Sequence, residues 1–158
     1  MFTDIVGSTT LAETLGDQTW ERVLRWHDDT IRHLVREGGG EVVNTTGDGF
    51  FVAFEAPRAA IATATAIQRA VIEYRASSAI GLAVRIGLHT TEANRRGADY
   101  SGKGVHVAAR VAALAEGGEV LATIETLEDA PDVVTADRRS VAVKGVTDPV
   151  TVAAIAWS

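Results

Sequence analysis

The chain has 158 residues, of which 46% are hydrophobic and 23% charged, with 15 basic against 21 acidic side chains for a net charge of −6. That is the mixture of one globular domain rather than of a disordered tail, and the acidic surplus argues against a nucleic-acid polymer as partner. The absence of cysteine excludes disulfides, thiolate metal sites and cysteine nucleophiles.

Met1 to Val6 reads as a short strand with almost no lead-in, as expected of a domain cut from a longer protein. The first residues lack the basic, apolar and cleavage regions of a signal peptide. No apolar run approaches the ~20 residues that span a bilayer, so the expected location is cytoplasmic, without membrane insertion of this domain. Gly7, Ser8 and Thr9 supply a turn and a helix N-cap. Thr10–Leu15 fits a short helix ended by Gly16, and Asp17 caps the next. In that second helix Trp20, Val23, Leu24, Ile31, Leu34 and Val35 recur at helical spacing, until Gly38 to Gly40 stop it. Glu41–Thr45 and Phe50–Glu55 read as a hairpin around Gly47 and Asp48.

Pro57 opens a long helix with Ala60, Ala64, Ile67, Val71 and Tyr74 on one stripe. Leu82–Ala93 is predicted as a strand, Asn94–Gly104 as a polar loop, and Val105–Ala115 as a helix. Glu119–Ala122, Ser140–Val143 and Val150–Ala156 are further predicted strands. Hairpins interleaved with helices predict an α+β sandwich of the ferredoxin-like type, with helices over one face of a mostly antiparallel sheet. Nothing in the sequence divides 1–158 into more than one domain.

Two carboxylates stand out. Asp4 closes the first strand beside a helix start, where backbone N–H groups and a carboxylate can together hold a metal–phosphate complex. Asp48 sits between two glycines that leave it accessible. Each alone is equally a cap or a turn residue; together they could hold two divalent cations for in-line phosphoryl displacement. His106 and Arg110 lie four apart on a predicted helix and share a face. No acidic residue stands three or four positions from Arg110, which suits a phosphate or a partner chain as well as solvent. Asn44, Asp99 and Lys144 carry little meaning singly. No seryl-hydrolase, Walker or Rossmann fingerprint is present.

Taken together, these segments resemble the catalytic domain of class III nucleotidyl cyclases. The run from Phe2 to Thr9 is similar to the family's first metal motif, and Asn44 to Gly49 to its second. Arg85 to Thr90 is similar to the strand before the variable loop. Asp99 to Gly102, then Val105 to Arg110, are similar to the substrate and transition-state segments, and Val143 to Val146 to the phosphate-lysine segment. The motifs cover nearly the whole chain in order, and mycobacterial-type adenylyl cyclases with unusual substrate residues offer a close likeness.

The resemblance implies a ferredoxin-like βαββαβ core with additional C-terminal strands, and a head-to-tail homodimer whose active sites straddle the interface. It implies an adenylyl cyclase acting on ATP, with GTP a weaker substrate. Asp4, Asp48 and the carbonyl of Ile5 would hold two divalent metal ions, Mg²⁺ or Mn²⁺. Val6, Gly7, Ser8 and Thr9 would offer N–H groups to the phosphates. The partner would supply Asn44 and Asp99 to the base, His106 and Arg110 to the ribose and α-phosphate, and Lys144 to the triphosphate.

Two positions depart from the pattern: the base-reading lysine is Asn44 and the ribose-orienting asparagine is His106. A freely turning Asn44 amide both donates and accepts, so Asp99 is left as the fixed reader of adenine. The departures motivate an alternative, a degenerate cyclase-like module that binds nucleotide or dimerises for regulation. A third class, a polymerase palm or diguanylate cyclase, lacks its Gly-Gly-Asp-Glu-Phe-like motif here.

Overall fold

The computed structural model describes residues 1–96 and 99–158, with the backbone alone at Asn94, Arg96 and Asp99. Strand β1 (Phe2–Ile5) leads through Gly7 into α1 (Ser8–Leu15), and Gly16 separates that helix from α2 (Asp17–Glu37). A hairpin of β2 (Glu41–Thr46) and β3 (Gly49–Ala53) precedes α3 (Pro57–Ser78) and β4 (Val84–Leu88). A small hairpin, β5 (Asn94–Arg96) and β6 (Asp99–Ser101), leads into α4 (Lys103–Leu114). The chain ends with β7 (Val120–Thr123), α5 (Ile124–Glu128), β8 (Thr135–Val141) and β9 (Val150–Ile155).

The strands form one sheet in the order β2-β3-β1-β4-β7-β9-β8, with β5 and β6 paired separately. The first four strands and the helices between them make the expected βαββαβ core. All neighbours in the large sheet run antiparallel except β4 and β7. A parallel neighbour needs a crossover connection, and α4 lies within it.

Side-chain alternation divides the sheet into two faces. On one, α2 packs Val23, Ile31 and Val35, and α3 packs Ile61, Ala64, Ile67 and Val71, against Ile5, Ile86, Leu88, Val120 and Ala122. Each fully buried Val, Leu or Ile among them contributes roughly 1.5–3 kcal/mol. On the other face, Val107 and Val111 of α4 meet Leu121 and Val152. Helices over a single face therefore describes α2 and α3 but not α4. Gly87 makes that second layer possible: a Cβ there would stand 2.2 Å from the backbone nitrogen of Ala112, so only a bare glycine lets α4 lie this close to β4.

Local boundaries differ from the sequence expectations in specific places. Gly7, in the left-handed region at φ 64°, is the residue before α1, and Ser8 is already helical. The predicted strand over 82–93 ends at Leu88, where its pairing with Ala122 of β7 also ends. Residues 94–96 and 99–101, within the expected loop, pair as the antiparallel strands β5 and β6. The five-residue α5 is too short for periodicity to reveal. The β2–β3 turn has φ 60° at Gly47, and Asp48 is not among the positive-φ residues. That is the II′ pattern, with glycine at the first central position, rather than I′.

Candidate active site

The antiparallel pairing of β1 with β3 and β4 sets the site. β1 lies between them, so its C-terminal end stands beside the β2–β3 turn. Thr3 and Ile5 are buried toward the core, while Asp4 alternates to the other face and is half-buried. The turn brings Asp48, also half-buried, to the same end. The two carboxyls lie close enough to interact, and Asp48 also stands near the Ser8 side chain and the backbone of Ile5.

Burial first, then the hydrogen bond and charge of Asp4, push the Asp48 carboxyl above its ordinary range. Its bonds to Ser8 and to the backbone of Ile5 pull the other way. Like charges this close favour sharing a proton or a cation. Among the described residues no group of three or more His, Asp or Glu side chains could hold a metal. The pair nevertheless fits a divalent cation of the magnesium type. Its donors are hard oxygens, and ions of that type use one or two carboxylates plus backbone and substrate oxygens.

Arg85 opens the segment that resembles the strand before the variable loop, and that resemblance carries no role for its side chain. In the fold it stands opposite Asp4 in the β1–β4 ladder. Its Nη2 and Nε reach Asp4 Oδ2 at 2.6 and 3.2 Å. The only signal for this contact is the strand register, which is not local to either motif. Asp4 and Arg85 border a cleft of about 290 Å³ closed by Phe2, Phe51, Ala109 and Ala113. Phe2 and Phe51 stack at 4.5 Å and form its aromatic floor. A second cleft of about 450 Å³ opens on Asp48 from the other side, past Ser8, Thr9, Glu13 and Trp20.

The amide of Val6 donates to the Ala83 carbonyl at 2.8 Å and continues the sheet. It is therefore engaged, unlike the expectation for phosphate contact. Ser8 and Thr9 open α1, where first-turn amides have no intrahelical acceptor. Gly7 immediately precedes them with its carbonyl bonded to the Leu11 amide.

The remaining candidates lie elsewhere. Asn44 is exposed on β2, the edge strand, just after a bulge between Val42 and Asn44. Its Oδ1 accepts from the Thr45 amide at 2.8 Å, which leaves the NH₂ to donate. Asp99 begins β6, which packs near β2 and the start of α4; its side chain lies outside the described residues. His106 and Arg110 are exposed on α4, and neither lines the cleft at Asp4. Lys144 is exposed in the loop between β8 and β9. The structure thus gathers Asp4, Asp48 and Ser8 into one cluster and leaves His106, Arg110 and Lys144 outside it.

The chain matches the adenylate and guanylate cyclase catalytic domain family over residues 1–155. An adenylate cyclase of Mycosarcoma maydis is 31% identical over 154 residues, which is 82% of this chain and 6% of that protein. One from Lachancea kluyveri is 31% identical over 145 residues, 76% of this chain and 8% of that protein. The chain therefore spans less than a tenth of the length of these relatives. Among solved structures, an adenylate cyclase from Trypanosoma brucei in its monomeric state is similar with a TM-score of 0.83 at 26% identity, covering 99% of this chain and 87% of that one. The guanylyl cyclase Cya2 is similar with a TM-score of 0.86 at 26% identity, covering 98% and 89%.

Proposed function

The chain belongs to the adenylate and guanylate cyclase catalytic domain family, and from that membership we propose that it converts ATP to 3′,5′-cyclic AMP and pyrophosphate. The carboxyl pair of Asp4 and Asp48 beside the first turn of α1 is the observation that carries this reading. The ribose 3′-oxygen forms a bond to the α-phosphorus, the α–β anhydride bond breaks, and the 3′-hydroxyl proton leaves to solvent.

Asp4, Asp48 and the Ile5 carbonyl would hold the divalent cations; bound there, Mg²⁺ or Mn²⁺ would acidify the 3′-hydroxyl and neutralise the departing pyrophosphate. The amides of Gly7, Ser8 and Thr9 face the β- and γ-phosphates. His106 orients the ribose, Arg110 offsets charge developing on the α-phosphate, and Lys144 meets the triphosphate. Because His106 and Arg110 do not line the Asp4 cleft, they serve the site of a second copy, and the homodimer contains two such sites. The half-exposed Phe2–Phe51 stack supplies apolar surface on the sheet face toward that copy. Asp99 accepts from the exocyclic amine of adenine. Asn44, with its oxygen held by Thr45, offers a donor to adenine N1, where guanine presents a hydrogen instead. That polarity favours ATP over GTP.

Incubation of the purified chain with ATP or GTP and Mn²⁺ or Mg²⁺, followed by product mass analysis, tests the proposal. Cyclic AMP with little cyclic GMP is the expected result. Nucleotide binding without turnover would instead favour a regulatory cyclase-like module, the reading to which the departures at Asn44 and His106 point. Cyclic GMP as the main product would reverse the base assignment.

A further inference from the structure

Arg85 places a cation of the chain's own against Asp4. Its guanidinium makes two bonds to Asp4 Oδ2, at 2.6 and 3.2 Å, and with Nη1 a third to the Ala113 carbonyl at 3.2 Å. Ala113 lies in the last turn of α4, where carbonyls lack intrahelical partners and the helix dipole is negative. One side chain thus fastens a carboxylate of the site to the end of a helix. Upstream, that helix carries Arg110 one turn and His106 two turns from the fastening point.

We propose that Arg85 is a positioning residue which occupies Asp4 until a divalent cation displaces it, so that metal loading releases the last turn of α4. The inference rests on the carboxyl pair as a metal site, the reading given above. Oδ2 of Asp4 already accepts two N–H bonds, and a cation at coordination distance meets both the loss of those lone pairs and the repulsion of the guanidinium. Asp48 makes no ion pair among the described residues, so it is the open end of the site. When Arg85 leaves Asp4, its guanidinium loses two of the three bonds that hold it in place, and a swing away from the incoming cation takes Nη1 from Ala113, so the C-terminal turn of α4 loses its side-chain cap. Because α4 presents His106 and Arg110 to the other copy, loading at one carboxyl pair alters the helix that completes the opposite site. The two sites of a dimer are then linked through Arg85.

The test uses the whole chain without nucleotide. Mn²⁺ binding is followed by electron paramagnetic resonance of the free ion, and hydrogen exchange is followed at the amides of Val111 to Ala115. In the wild-type chain Mn²⁺ should speed exchange at those amides, while β7 stays protected. Arg85→Gln should bind Mn²⁺ about fivefold more tightly, with the same amides already fast and insensitive to the ion. Arg85→Lys retains a charge for Asp4 but cannot fork to Ala113. It should keep near wild-type Mn²⁺ affinity and still show fast exchange at Val111 to Ala115. The wild-type exchange experiment stands even if a variant folds poorly. Mn²⁺ binding that depends on Asp4 and Asp48, but leaves the α4 amides unchanged and is not strengthened in Arg85→Gln, overturns the role of Arg85 and leaves the metal site standing. No Mn²⁺ binding dependent on either aspartate, also in the presence of a non-cyclisable ATP analogue, overturns both.

Discussion

Asp4 and Asp48 reach the same point from opposite directions: one lies near the end of the central strand β1, the other sits in the turn that opens its neighbour β3, and their carboxyls are close enough to raise the pKa of Asp48. Neither needs the other for folding, because each is half-exposed and the larger core, under α2 and α3, lies on the other face of the sheet. Asp4→Ala and Asp48→Ala should therefore each lower turnover by at least about a hundredfold while leaving urea stability within about 1 kcal/mol of wild type. Cyclic nucleotide formation and urea denaturation measured on the same preparations check this. Near-normal activity in Asp48→Ala would remove the basis of the metal assignment.

Two inactive chains should rescue one another. Mixing Asp4→Ala with Arg110→Ala yields heterodimers in which one site lacks both residues and the other has both. With random pairing in equal amounts, about a quarter of wild-type activity should return. Heterodimers shown to form by differently tagged chains, yet still inactive, would place Asp4 and Arg110 in a site made by one chain.

Base choice should divide between Asp99 and Asn44. A neutral hydrogen bond contributes roughly 0.5–1.5 kcal/mol and one to a charged group about twice that. Asn44→Ala should lower kcat/KM for ATP by about tenfold, and the preference for ATP should survive. Asp99→Ala should narrow the preference further, because it removes both the acceptor for the adenine amine and the repulsion of guanine O6. Measuring kcat/KM for both nucleotides at one Mn²⁺ concentration decides; the reverse order of effects would reverse the roles.

Stability should fall in acid through His27. It is almost fully buried beside Phe50, its Nε2 has no partner, and burial lowers its pKa from 6.5 to about 4. Between those values the unfolded chain binds a proton that the folded chain refuses. Its contribution is therefore complete above pH 6.5 and is lost as the pH falls toward 4, by about 3 kcal/mol in all. Urea unfolding of His27→Leu at pH 7 and pH 4.5 should show a smaller drop than the wild type. Parallel pH profiles for the two proteins would rule His27 out as the source.

Gly87→Ala should be disproportionately harmful for one methyl group. The added Cβ meets backbone at Ala112, not the tip of a flexible side chain, so α4 must move or the strand must bend. A loss of about 3 kcal/mol is expected, together with reduced cyclase activity, since α4 carries His106 and Arg110. Thermal denaturation and activity assays check the two effects separately.

Patterns confined to a few neighbouring residues were enough to recognise most of the elements. The helical stripe of Val23, Ile31 and Val35, the glycines around Asp48, and Pro57 at the head of α3 all encode their structure locally. So do the motifs around Asp4, Asp48 and Arg110, whose order along the chain pointed to the cyclase family. The tertiary structure alone decided what depends on strand register and layer. It put Arg85 against Asp4, laid α4 on the face opposite α2 and α3, and engaged the Val6 amide with Ala83. It also paired the Asn44 oxygen with the next residue's amide, which leaves the NH₂ to donate. Residues far apart in sequence become neighbours only when strands align, and a one-residue shift in register exchanges the two faces of a strand. Local propensity carries no record of that alignment, so the sequence could name the carboxylates without showing the cation that stands beside one of them.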